Sequence, residues 1–332
     1  MNVQEARQAA ARWVAGIECE GAFLSGSATW LARDDDLPPA SDVDVFVLVA
    51  EERHKLGKFR FEGALLEATY LTWERIPSAA AILGDYHLAG AFKDDNVLAD
   101  PTGRLRELQA AVEPAWAEPR WVRERREHAE SGILKGLAAM DEAQPYPMKV
   151  LRLLFATGVT THVLLTAGLR NPTVRLRYPA VRIMLMPYGR AALYERLLEL
   201  LGSEHLSPGR VERHLAAMTR VFDQAARVEG SPYSFASDIS PQARHIAVDG
   251  SRELIERGLH REAMFWIAVT YARSLLILGG DAPGFHEMLA DLRIGSLEER
   301  ADQVRAFLPR LRRAAEGIIG RRAGAGPPPA DA

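Results

Sequence analysis

Every segment of this 332-residue chain that reads as a β-strand lies before Glu113-Pro114, and beyond that point apolar residues repeat only at helical spacing. This division restricts the fold more than any other feature. A small sheet confined to the first third must be covered by local helices, while the remainder has to build its own helix-on-helix core. The expectation is an α+β chain: a small mixed-sheet domain over residues 1–113, an all-helical bundle domain over 114–322, and a proline-rich tail, 323–332, without stable structure. At 48% hydrophobic, the chain has enough apolar residues for both cores.

Within the first part, Val3, Ala6, Ala10, Trp13, Val14 and Ile17 share one helical face. Gly21-Ala22-Phe23-Leu24 reads as a strand ending at Ser25-Gly26-Ser27, where a helix begins. Val43 to Val49 is a β-branched run interrupted by Asp44, as a buried strand would be. Residues 58–72 read as a hairpin with its turn at Glu62-Gly63. Ser78 is placed to cap a helix running to about Phe92, and Asn96 to Ala99 gives a further short strand. Helices are expected at roughly 119–141, 147–168, 189–202, 208–228, 249–279 and 297–319.

The formal net charge of −3 is unevenly distributed. Residues 1–112 hold 11 Lys and Arg against 18 Asp and Glu, a net −7, which leaves +4 for the rest. An acidic part facing a mildly basic one suits a metal–phosphate site between them. It does not suit wrapping a long nucleic acid, which needs a broad basic surface. A single cysteine, Cys19, excludes an internal disulfide, and no apolar run is expected to span a membrane, the stretch 263–279 being broken by Arg273. The expected location is the cytoplasm.

Three carboxylates stand out by position. Asp42 and Asp44 alternate with Val43 and Val45, so both aspartates point to one face of a strand. Glu67 interrupts the apolar run Leu65-Leu66-Glu67-Ala68, where a lone carboxylate is costly unless paired or bound to metal. If the two strands are neighbours, the three can share hard divalent cations such as Mg²⁺. Small residues at Gly26-Ser27 let backbone N–H groups approach a phosphate.

Leu24-Ser25-Gly26-Ser27, then Ser41-Asp42-Val43-Asp44-Val45-Phe46-Val47, then Leu66-Glu67-Ala68, resembles the DNA polymerase beta-type nucleotidyltransferase superfamily. The likeness is to its minimal and antibiotic-modifying branch, in which a small sheet domain precedes a helical bundle. The resemblance implies that Asp42, Asp44 and Glu67 hold two Mg²⁺ ions, with Glu67 as general base. It also implies that Gly26, Ser27 and Ser41 bind the triphosphate of ATP or another nucleoside triphosphate. The expected activity is transfer of a nucleoside monophosphate, most simply AMP, to a hydroxyl of a small molecule such as an aminoglycoside-like antibiotic. A protein or RNA acceptor, or a catalytically silent nucleotide sensor, are the alternatives. One departure from the pattern is the long connection from Ser27 to Asp42, which carries Asp34-Asp35-Asp36 and either shapes the cleft mouth or is inert.

Each element also has a plainer reading: turn-capping aspartates at 42 and 44, a solvent-facing Glu67, and an ordinary turn at Gly26-Ser27. Arg170, Arg175, Arg177, Arg182 and Arg190 read first as a solvated helix face, with phosphate binding as the second reading. His87, His162, Trp73, Trp121 and Trp266 read first as core; the second readings are cleft lining for His87, a base for His162, and stacking on an adenine or sugar ring for the tryptophans. No lysine is evident beside Gly26-Ser27 to hold a triphosphate.

Overall fold

The alternation Val43-Asp44-Val45-Phe46-Val47 becomes the middle strand of the sheet. The computed structural model describes residues 1–324, and the remainder of the expected tail lies outside the described residues. The strands are β1 (Gly21–Ser25), β2 (Val43–Leu48), β3 (Gly57–Phe61), β4 (Ala64–Leu71) and β5 (Val97–Ala99), in spatial order β3-β4-β2-β1-β5. β2 and β4 run parallel and the other neighbours antiparallel, so the sheet is mixed and the chain is α+β.

The two faces of β2 have different partners. Val43, Val45 and Val47 are fully buried with Ala22, Leu24 and Leu66 against α1 (Val3–Ala15), whose Ala6, Ala9 and Ala10 allow close approach. Asn2 and Glu5 close a reciprocal capping box at the start of that helix, at 2.8 and 2.9 Å. On the opposite face, Phe23 and Leu48 pack on Ile76, Ile82, Phe92 and Leu105, bringing in α2 (Ala79–Gly84) and α3 (Arg104–Val112). The Asp34-Asp35-Asp36 run is exposed beside the N-terminus of α1, where the Asp35 carbonyl accepts from Val3 N–H at 2.9 Å. Negative charge is favourable there, and none of the three aspartates lines the cleft described below.

The remaining helices are α4 (Pro119–Ala138), α5 (Tyr146–Ala167), α6 (Arg177–Leu185), α7 (Ala191–Leu201), α8 (Pro208–Ala225), α9 (Gly250–Glu256), α10 (His260–Leu278), α11 (Pro283–Asp291) and α12 (Leu297–Gly324). α5 packs against α4, α6, α7, α10 and α12 and is the centre of this lobe. Contrary to expectation, it is long and apolar enough to cross a membrane, because residues 153–167 carry no Lys, Arg, Asp or Glu. Its most apolar window is 83% buried by its neighbours.

Other departures have local causes. The helix expected from Ser78 to Phe92 stops at Gly84, because the Asp85 carboxylate accepts from the N–H groups of His87 and Leu88 and turns the chain. The helix expected over 249–279 is two, broken at Arg257–Leu259. Gly26-Ser27 opens a single 3₁₀ turn, Gly26–Thr29, in place of a longer helix. α12 includes Ala323 and Gly324, the first two residues of the expected tail.

Arg175 ties the lobes together. It is 8% exposed, and its guanidinium donates to the carbonyls of Ala40, in the sheet lobe, and Gly250, at 3.2 and 3.0 Å. The expectation of a solvated face therefore fails at Arg175, and also at Arg177, which is 1% exposed. Removing the guanidinium leaves the Ala40 carbonyl without its donor and takes one of two donors from the Gly250 carbonyl, which also accepts within α9, so Arg175→Met should cost about 1–3 kcal/mol in urea unfolding. The same change at exposed Arg170 should stay within about 0.5 kcal/mol.

Candidate functional site

The strand registers place four side chains in one row across the sheet. Ser25 on β1 lies opposite Asp44 on β2, Asp44 beside Glu67 on β4, and Glu67 opposite Lys58 on β3. Paired residues in a sheet point to the same face. Asp42, two positions before Asp44, joins that face. One carboxylate oxygen from each of Asp42, Asp44 and Glu67 lies within 4.8 Å of the others. The three carboxylates singled out in the sequence thus meet.

The turn after β1 fits this cluster closely. Gly26 has φ +63°, and a Cβ built there would lie 1.8 Å from Asp44 Oδ2. Only glycine allows the backbone to pass so near the carboxylate. Ser27 Oγ and Ser41 Oγ are 3.5 Å apart, so the expected phosphate-binding residues converge on the same place.

All six expected site residues line one cleft of about 420 Å³ between the lobes. The helical lobe supplies Phe155, Asp238, Trp266 and Arg273, assigned to packing or passed over in the sequence, and residues 171–176, whose Arg175 was read first as a solvated face and second as a phosphate binder. His87 and Tyr86 also reach the cleft, their rings tilted against each other with centroids 3.9 Å apart. His162 stays in the core as expected, 2% exposed and bonded to the Thr173 carbonyl at 2.9 Å, and burial pushes its pKa well below the usual value. Trp73 and Trp121 are half-buried and outside the cleft.

The lysines missing from the sequence reading are Lys55 and Lys58. Lys58 Nζ lies 2.8 Å from Asp42, Glu67 and Asp238 alike, and Lys55 Nζ lies 2.6 Å from Glu67. Lys58 was legible: a two-residue turn at Glu62-Gly63 sets residue 58 opposite residue 67. Arg273 was legible too, since a lone arginine in an apolar helix needs a partner as much as Glu67 does. Its partner is Asp238, at 2.8 Å, and Phe155, Phe235 and Trp266 surround the guanidinium. Asp238 sits in a 3₁₀ turn between α8 and α9 and has no comparable sequence signal.

Electrostatics separates the carboxylates. Burial opposes ionisation of Glu67, but Lys58 and Lys55 outweigh it and hold its pKa below the usual range. Asp238 behaves alike through Lys58 and Arg273. Asp44 differs: burial first, then the charges of Asp42 and Glu67, raise its pKa well above 3.8. It keeps a surface toward the cleft while protein encloses it on its other sides, and it makes no ion pair among the described residues. An all-oxygen donor set containing one uncompensated carboxylate is what a hard divalent cation such as Mg²⁺ binds, so the residues fit the expected metal.

Because the folded pKa of Asp44 is raised, its ionisation costs stability above its unfolded value of 3.8, and the cost grows until pH passes the folded pKa. Asp44→Asn should therefore stabilise the metal-free protein by about 1–2 kcal/mol near pH 7.5, and by less near pH 5, in urea unfolding. A destabilised or pH-independent variant would contradict this account of the charge. Comparison with protein-family models, curated proteins and solved structures gives no match, so the functional reading rests on the geometry of these side chains.

Proposed function

We propose that the protein transfers a nucleoside monophosphate from a nucleoside triphosphate, most simply AMP from ATP, to a hydroxyl of a small molecule. The observation that carries this reading is the row Ser25–Asp44–Glu67–Lys58 with Asp42 beside it, facing a glycine-lined turn in one cleft.

Asp42, Asp44 and Glu67 would hold Mg²⁺, which neutralises phosphate charge and lowers the pKa of an attacking hydroxyl. The backbone at Gly26-Ser27 and the hydroxyls of Ser27 and Ser41 donate hydrogen bonds to the triphosphate. Glu67, ionised at neutral pH, takes the proton of the acceptor hydroxyl. The hydroxyl oxygen attacks the α-phosphorus, the bond from that phosphorus to the β-bridging oxygen breaks, and pyrophosphate leaves. Lys55, 2.6 Å from Glu67, helps keep that carboxylate ionised. Catalysis on this scheme is positioning and charge neutralisation.

The cleft's charges bear on the acceptor. Its wall holds four carboxylates, Asp42, Asp44, Glu67 and Asp238, against four cations, Lys55, Lys58, Arg175 and Arg273. With three carboxylates given to metal, only Asp238 remains, and it already holds Lys58 and Arg273. That balance favours a neutral or anionic hydroxyl compound over a polycationic aminoglycoside. The volume lies in the range of small-ligand sites, and Trp30, Tyr86, Phe155 and Trp266 give the wall an aromatic part suited to a base or an acceptor ring.

ATP with Mg²⁺ at 100 times its dissociation constant should stabilise the wild type by about 2.7 kcal/mol, read as a melting shift. Asp42→Asn/Asp44→Asn should lose the shift. Each single variant should lower pyrophosphate release by about 100-fold to 1000-fold. A metal-independent shift, or near-wild-type turnover in either single variant, would sink the proposal.

A further inference from the structure

Lys58 is held more tightly than a surface lysine needs to be. Its side chain is 5% exposed, and its ammonium touches one carboxylate from each of three chain segments: the start of β2, β4, and the turn between α8 and α9. Two of those carboxylates, Asp42 and Glu67, belong to the triad; the third, Asp238, belongs to the helical lobe. The segment bearing Asp238 is fixed against β3. Gly57 has φ +79°, and a Cβ there would lie 2.5 Å from Ser237 Cβ; Ser237 Oγ donates to Glu67 at 3.3 Å. Asp238 also has its own second cation in Arg273, so it does not depend on Lys58 for its charge balance.

An ammonium and a divalent cation compete for the same carboxylates. Like charges a few ångströms apart repel strongly even at the effective dielectric of a cleft. Asp238, outside the triad, is the one partner of Lys58 for which there is no such competition.

We propose that Lys58 is a positioning residue that acts as the built-in counter-cation of the carboxylate triad, neutralising Asp42 and Glu67 while no divalent cation is bound and retaining Asp238 when one is. The inference rests on the reading of Asp42, Asp44 and Glu67 as a metal site. It adds that the helical lobe takes part in metal binding: Asp238 gives Lys58 a place to remain, so the metal-free cluster does not repel itself apart and the metal-bound cluster is not opposed by a stranded ammonium.

The test is Mn²⁺ binding to the full chain without nucleotide, read from the electron paramagnetic resonance signal of free Mn²⁺. Lys58→Met removes the competitor and should bind Mn²⁺ about tenfold more tightly than wild type, or more. Asp238→Asn removes the alternative partner and should weaken binding about threefold, but should have no effect in the Lys58→Met background. If Lys58→Met does not fold, Lys58→Gln, which removes the charge and keeps a donor, carries the same expectation. Equal or weaker binding by a folded Lys58 variant overturns the proposal, as does an Asp238→Asn effect of equal size in both backgrounds. Asp42→Asn/Asp44→Asn separates the two levels. If it binds Mn²⁺ as wild type does, or if no protein in the set binds, the metal site itself is refuted.

Discussion

The structure depends on putting three carboxylates within reach of one another on two adjacent inner strands of a buried sheet. Water would separate and solvate such charges; here strand pairing forces them together, and cations must supply what water no longer can. Much else follows from that requirement. β3 lies beside β4 with Lys58 opposite Glu67, the turn after β1 needs glycine so that its backbone can pass Asp44, and the helical lobe brings Asp238 and Arg273 to the rim. Asp44, the carboxylate that pairs with no cation among the described residues, is the point where the arrangement is least stable and where a bound metal has most to gain.

The sheet half of the site was legible in the sequence because period-two alternation and turn chemistry are local. Asp42 and Asp44 flank a valine that must be buried, and Glu67 has no reason to interrupt an apolar strand unless it has a partner. The same logic extends to Lys58 through the two-residue turn, and to Arg273 as a charge inside an apolar helix. The parallel pairing of β2 with β4 was expected only as adjacency; its register, Asp44 beside Glu67, is a tertiary fact.

What stayed hidden lies mostly in the helical lobe. Asp238 is one polar residue among several in a loop, and nothing nearby marks it as the partner of a lysine 180 residues earlier in the chain. Arg175 looked like one member of a solvated basic face because spacing along a chain says nothing about which lobe covers it. The helical breaks at Asp85 and at Arg257–Leu259 were missed for a related reason: local side-chain and turn bonds overrode a continuous apolar pattern. The cleft is therefore half readable from sequence, the carboxylate half, while the wall that would meet an acceptor is a product of packing.

The most direct test of the central claim is anomalous diffraction from crystals grown with Mn²⁺ and an ATP analogue that cannot be cleaved between the α- and β-phosphates. The account predicts manganese bound to Asp42, Asp44 and Glu67, with the phosphates between the metal and the Gly26-Ser27 turn. Analogue bound elsewhere, or a cleft without manganese and with Lys58 still bridging Asp42 and Glu67, would contradict it.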